Sequence, residues 1–246
     1  MILVTFDVDG TLIESEGLHA NKLHKEAFSF GFKSVFGLET SIDEGVKHHG
    51  MTDPLIIQAV LEHHKLKVTQ DTMKQVQDSM VTHALGAAKE ADTGLRALEG
   101  TQELLDKLNS AGMIVALTTG NLEPIAWLKM DALGLKPSFS VPLVGGFGSD
   151  YWGGDISKGG EDRAQLLRIA RKRAGDVAAH FHFGDSPYDI SAAELAGATP
   201  IGVTTGVFSE KELRDASKDP ESLLVLESLR DADAILDFVA SKSKNE

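Results

Sequence analysis

The sequence predicts an α/β fold, a doubly wound parallel sheet carrying an inserted helical block. Three observations lead there. Residues 2–6 form an apolar run rich in branched side chains and read as a buried strand. Residues from about 17 to about 98 then carry mostly helical periodicity. From about residue 100 helical and strand patterns alternate, which implies parallel strands joined by helical crossovers.

The first strand runs directly into Asp7-Val8-Asp9-Gly10-Thr11. Both carboxylates can point into the crevice at the strand's C-terminal end, where open α/β sheets hold ligands. Two acids that close repel each other unless a cation lies between them. A hard cation such as Mg2+ prefers oxygen ligands and leaves room for substrate phosphate. The stretch therefore predicts a Mg2+-dependent phosphoryl-transfer site with a nucleophilic carboxylate. The competing reading is a strand-to-turn exit in which Asp and Gly serve turn geometry alone.

Within the helical block, residues 18–28, 54–65 and 69–83 read as helices, with Pro54 suited to a first turn. In the second half, Leu104, Leu105 and Leu108 mark a helix that ends at Gly112. Residues 113–117 read as a strand, and residues 124–133 as a helix closed by Gly134. Residues 139–144 read as a short strand, placed near an edge by Pro142. A helix over 162–174, a strand over 178–183, a helix over 190–196 and a last strand over 200–203 follow, and residues 242–246 read as a frayed polar tail. These boundaries divide the chain into a core of residues 1–15 and 96–246 and a helical domain of residues 16–95.

Composition narrows the classes. A chain of 246 residues buries a substantial core without staples. With no cysteine, disulfides, thiolate metal sites and cysteine nucleophiles are excluded. A formal charge of -13, from 24 basic and 37 acidic residues, sets the surface against nucleic acid and anionic lipid. No apolar stretch approaches the roughly 20 residues that span a bilayer, and the N-terminus lacks a signal-peptide pattern. The expected location is the cytosol, and the oligomeric state is not readable.

Further strand ends carry polar residues. Residues 113–117 run into Thr118-Thr119-Gly120-Asn121, where a hydroxyl and backbone N–H groups can meet a phosphate. The same residues also suit a turn and a cap. Residues 178–183 run into Gly184-Asp185-Ser186-Pro187-Tyr188-Asp189. Asp185 can face the cation, and Asp189 can bond to it, hold a water or cap a helix. Residues 145–160 form a loop with seven glycines but no nucleotide P-loop signature. Lys158 precedes the next helix and Arg163 begins it; either can neutralise the nucleophile and the transferring group, or be a solvated surface charge. His180 and His182 share a strand face, where packing competes with a metal pair, and the adjacent pairs His48-His49 and His63-His64 diverge. Trp127 and Trp152 read as packing residues.

Taken together these motifs resemble the haloacid dehalogenase-like hydrolases, in their phosphoglycolate-phosphatase-like branch. Asp7-x-Asp9-Gly10-Thr11, a strand ending in Thr119, a basic residue and Gly184-Asp185-x3-Asp189 follow in the family's order. The helical block matches that family's cap between the first two motifs, and Gly50-Met51-Thr52-Asp53-Pro54 resembles a cap stretch of the branch. The resemblance implies Asp7 as nucleophile and Asp9 as general acid/base, its pKa raised by burial. It implies Mg2+ on the Asp7 side chain, the Asp9 carbonyl and Asp185, with Asp189 beside them, and phosphoryl oxygens on Thr119. Motif three departs from the family, which shows Lys followed by Pro; Lys158 precedes two glycines, and is favoured slightly over Arg163. The substrate-facing set expected is Thr11, Gly120, Asn121, His19, Thr52 and Asp53, with Lys22 a further cap candidate. The implied activity is hydrolysis of a small phosphorylated metabolite through an aspartyl phosphate. A phosphomutase with a functional cap histidine at His19 and a non-catalytic binding protein are the alternatives. An acid at Asp9 argues against dehalogenation, and Lys22, Lys25 and Lys47 lack the apolar setting of an imine-forming lysine.

Overall fold

In a computed structural model, which describes residues 1–42 and 48–243, the chain forms a six-stranded parallel sheet. Its strands are β1 (Ile2–Phe6), β4 (Ile114–Thr119), β5 (Gly145–Phe147), β6 (Ala179–Gly184), β7 (Thr199–Val203) and β8 (Leu224–Leu226). They lie in the order β5-β4-β1-β6-β7-β8. The chain builds outward from β1 to one side through β4 and β5, then crosses to the other side at β6. This reversal opens a crevice at the C-terminal ends of β4, β1 and β6. A separate antiparallel pair, β2 (Ile13–Ser15) and β3 (Leu95–Ala97), carries the chain into and out of the helical block.

The period of two along β1 explains both faces of the sheet. Val4, Phe6 and Val8 join the larger core, packed with Leu104, Leu105 and Leu108 of α4 (Thr101–Ser110), Met130 of α5 (Glu123–Ala132) and Val239 of α9 (Ala232–Lys242). Phe6 stacks on Phe183 of β6 at 4.6 Å between ring centroids. Leu3, Thr5 and Asp7 alternate toward the opposite face, covered by α6 (Gly159–Ala174) and α7 (Pro187–Ala196). Asp7 thereby faces α6, where Arg163 lies.

The helical block is α1 (Lys22–Phe36), α2 (Asp53–His63) and α3 (Gln70–Gly86). Leu23, Ala27, Phe28 and Phe32 of α1, Val60 and Leu61 of α2, and Met73, Val76 and Met80 of α3 make its own apolar core. Leu122 and Ile125 at the start of α5 join that core and seat the block on the sheet. Thr69 and Thr72 form a capping box that starts α3.

Several boundaries differ from the expectations. Asn21, at φ 50°, separates a short 3-10 turn at Gly17–His19 from α1, so the first helix begins at Lys22. Residues 139–144 are not a strand; Pro142 has no N–H for a ladder, and the edge strand forms at Gly145–Phe147 instead. Its Gly146 lies against α6, where a Cβ would meet the Leu166 carbonyl oxygen at 1.9 Å. Beyond β7 the sheet gains β8 after α8 (Glu210–Asp215), and α9 closes the core. Residues 43–47, including Lys47, and residues 244–246 lie outside the described residues. No helix among the described residues is long and apolar enough to cross a membrane.

Truncating the stacked ring at the sheet's centre tests this packing. Phe183→Ala lowers the unfolding free energy by about 3–5 kcal/mol in urea titration; a change below about 1 kcal/mol contradicts a packed core there.

Candidate active site

The ends of β1, β4 and β6 bring the carboxylates together. Asp7 extends the ladder of β1, its N–H donating to the Phe183 carbonyl at 2.9 Å, so its position is held by the sheet. Asp185 follows β6 directly, and Asp189 lies in the first turn of α7. Oxygens of Asp7, Asp185 and Asp189 all lie within 4.8 Å of one another, and all three residues are buried. Arg163, just past the first turn of α6, is the cation beside them. Its Nη2 donates to Asp7 Oδ1 at 3.3 Å and its Nη1 to Asp189 Oδ1 at 2.5 Å. Its Nε donates to the Gly50 carbonyl at 3.2 Å, a contact to the helical block.

Lys158 is placed elsewhere. Its side chain is exposed, and its nearest acid is Glu161 at 3.8 Å. One helical turn decides the matter: Lys158 precedes α6 at the surface, whereas Arg163 falls on the face turned to β1. The structure thus places Arg163, and not the slightly favoured Lys158, beside Asp7.

The electrostatics follow from burial and neighbours. Burial, opposed by Arg163 and reinforced by Asp189 and Asp9, pushes Asp7 up to about 7. Burial, with Asp189 and Asp7 nearby, pushes Asp185 well above the usual carboxylate range. Burial raises Asp189 too, but Arg163, His182 and Ser186 outweigh it and bring the group to about 2. Asp189 is accordingly saturated: Oδ1 takes Arg163 and His182, and Oδ2 takes the Ser186 N–H and hydroxyl. It anchors Arg163, and its oxygens are committed to protein donors.

Asp9 corrects an expectation. Burial does push it up, but the Lys129 ammonium, helped by the Asn121 hydrogen bond, prevails and holds its carboxyl below the ordinary value. Lys129 Nζ lies 2.9 Å from Oδ1 and 2.8 Å from Oδ2, and Asn121 Nδ2 donates to Oδ2 at 3.0 Å. The Asp9 side chain is 32% exposed and lines a cavity of about 500 Å³.

The remaining expected residues divide. Gly120, Asn121 and Asp53 line the cavity with Asp7, Asp185 and Arg163. Thr119 is buried; its hydroxyl accepts from the Asn121 N–H at 3.3 Å and from Asn121 Nδ2 at 3.2 Å. Thr11 is also buried and donates to Asp185 Oδ1 at 3.4 Å. Thr52 is fully buried and is not among the lining residues. His19 is exposed and does not line the cavity, and Lys22 pairs with Glu90 at 2.8 Å. His180 and His182 flank the Thr5 hydroxyl at 2.9 and 3.0 Å, and His182 reaches Asp189 at 3.4 Å. They belong to the polar support beneath Asp189. Trp127 packs on Phe139 and Phe147, and Trp152 donates to Gln58 Oε1 at 2.8 Å.

Sequence reasoning passed over Lys129, His24, Ser186 and the segment Thr205–Gly206. Lys129 carried a signal, standing four residues after Ile125 on the apolar face of its own helix. Gly206 carried none; only the structure shows that a Cβ there would lie 1.7 Å from Asp185 Oδ2. Gly10, at φ +88°, is as tight, with a Cβ 2.4 Å from the same oxygen. Two glycines thus keep the space around Asp185 clear. A cleared space, an oxygen-only donor set and acids pushed up by burial and by one another fit a hard divalent cation.

A parallel α/β sheet with acids gathered at the switch-point crevice beneath a helical block fits a hydrolase site. Comparison with known proteins agrees: the profile of the haloacid dehalogenase-like hydrolases matches residues 2–197, and the chain belongs to that family. A phosphoglycolate phosphatase of Agrobacterium fabrum is 26% identical over 204 residues, covering 83% of this chain and 81% of that protein. A hydrolase from Pseudomonas syringae superposes with a TM-score of 0.66 at 19% identity, covering 97% of this chain and 99% of the other. A family IA, variant 3 hydrolase from Entamoeba histolytica also gives 0.66, at 18% identity over 98% of this chain and all of its own, covering 100%.

The raised acids set a pH-dependent response. A carboxyl whose pKa is raised in the folded state stabilises the fold below its unfolded value of 3.8 and loses that contribution as pH rises toward 7. A cation that replaces the protons restores it. Added Mg2+ therefore raises Tm more at about pH 8 than at about pH 5, and Asp185→Asn removes the difference. Equal shifts at both pH values contradict the cation reading.

Proposed function

We propose that this protein is a Mg2+-dependent phosphatase acting on a small phosphorylated metabolite, with Asp7 as the nucleophile. One observation carries the reading: Asp7 sits at the end of the central strand, against Arg163 and Asp185, facing a cavity that Asp9 shares. The phosphatase named among the similar proteins supports it.

In this reading Asp7 Oδ attacks phosphorus in line with the leaving oxygen and becomes an aspartyl phosphate. Arg163 offsets charge on the transferring group, and the N–H groups after β4, with Thr119, bind its equatorial oxygens. Asp7, Asp185 and the Asp9 carbonyl would hold Mg2+, which when bound neutralises phosphoryl charge. Asp9 rests ionised, so it must collect a proton before serving the leaving oxygen. A phosphate monoester monoanion brings one, since its second ionisation lies near pH 6, an approximate value for such esters. Asp9 passes that proton to the leaving oxygen, then takes one from the water that hydrolyses the aspartyl phosphate. Residues 16–95 act as the cap that covers the cavity and excludes bulk water. A cysteine-free, acidic chain suits the cytosol.

Asp7→Asn is expected to abolish phosphate release from a panel of small esters while leaving the melting curve intact; retained turnover removes Asp7 as nucleophile. Arg163→Ala lowers kcat by about 100-fold or more, whereas Lys158→Ala stays within about threefold. Equal effects from the two contradict the assignment of Arg163. With Mg2+ saturating, so that Asp7 is ionised despite its raised proton affinity, kcat/KM of the unmodified enzyme falls as pH rises past about 6; a flat profile under those conditions contradicts a proton carried in by the ester.

A further inference from the structure

Lys129 is a lysine with no exposed surface, on α5, the helix between the second and third expected motifs. A buried ammonium is costly unless each N–H finds an acceptor. Here three acceptors surround it. Asp9 supplies its carboxylate, Asn121 Oδ1 lies at 2.8 Å and His24 Nδ1 at 3.3 Å. An ammonium has three donors, and all three are used. The arrangement also determines the tautomer of His24. Nδ1 must accept from Lys129, so Nε2 carries the proton and donates to Asp53 Oδ2 at 2.9 Å. The same Asp53 oxygen accepts the Leu122 N–H at 2.9 Å, at the N-terminus of α5. A closed circuit results: Asp9 to Lys129, to His24 of α1, to Asp53 of α2, and back to the helix that carries Lys129.

We propose that Lys129 is a positioning residue for Asp9, and that His24 and Asp53 of the helical block hold Lys129 in register. Two cations of the site then have separate tasks. Arg163 serves the nucleophile Asp7, and Lys129 serves the proton carrier Asp9. Lys129 does not line the cavity. It acts through Asp9 by gripping both oxygens from behind, while Asn121 fixes the rotation of the carboxylate. Asp9 is thereby aimed at the leaving oxygen only when α1 and α2 are seated, because two of the circuit's members belong to those helices. The proposal rests on the reading of Asp9 as the proton carrier.

Leaving-group dependence tests it. An aryl ester such as p-nitrophenyl phosphate departs with little help from a proton, whereas an alkyl ester such as glycerol phosphate needs one. Lys129→Met keeps the length and apolar stem but removes the donors. It is expected to lower kcat about 100-fold on the alkyl ester and less than about 10-fold on the aryl ester, with KM little changed. His24→Leu, which removes one acceptor and keeps the packing volume, is expected to show the same selectivity in smaller degree. It also carries the test should Lys129→Met fail to fold, as a thermal melt will show. Asp9→Asn is the control. If Asp9→Asn is selective for the alkyl ester and both variants lose the two activities in equal proportion, Lys129 is structural and the proposal is overturned. If Asp9→Asn itself shows no selectivity, the reading of Asp9 as proton carrier fails, and the positioning role fails with it.

Discussion

Three acids must share one buried crevice, and the rest of the structure follows from that constraint. Asp7, Asp185 and Asp189 place oxygens within 4.8 Å of one another, and all three residues are buried. Like charges at such distances do not stay ionised together unless something opposes them. The protein answers in two ways. Asp189 is satisfied internally by Arg163, Ser186 and His182, and becomes the fixed negative end of a strut. Asp7 and Asp185 are left with raised proton affinity and a cleared space of the kind that suits a divalent cation.

This division explains why the sheet face beneath the site is polar. Thr5, His180 and His182 occupy positions where a parallel sheet normally buries aliphatic side chains. Their hydrogen bonds fix His182 against Asp189, and Asp189 in turn orients Arg163. The opposite face, with Phe6 stacked on Phe183, carries the apolar burial that offsets this polarity. The two faces of β1 therefore divide stability from chemistry by simple alternation.

Much of this was legible in the sequence, because the acids follow strands whose apolar runs are unambiguous. Asp7, Asp9 and Asp185 could be placed at strand ends from local pattern alone. Arg163 could not be separated from Lys158, since both lie near a helix start and only the rotation of α6 against β1 distinguishes them. The direction of the Asp9 shift was also hidden. It depends on Lys129, 120 residues away along the chain, and burial alone pointed the wrong way. The edge of the sheet was obscured for another reason. Gly145–Phe147 and Leu224–Leu226 are three-residue strands, too short to show a period.

The account centres on a covalent phosphoryl group carried by Asp7. The most direct measurement is a rapid acid quench during turnover of a labelled ester, followed by peptide mapping. Label is predicted on the peptide containing Asp7, lost when the mixture is chased with unlabelled ester before quenching. Phosphate release with no label on that peptide, or with label on another residue, would contradict the account.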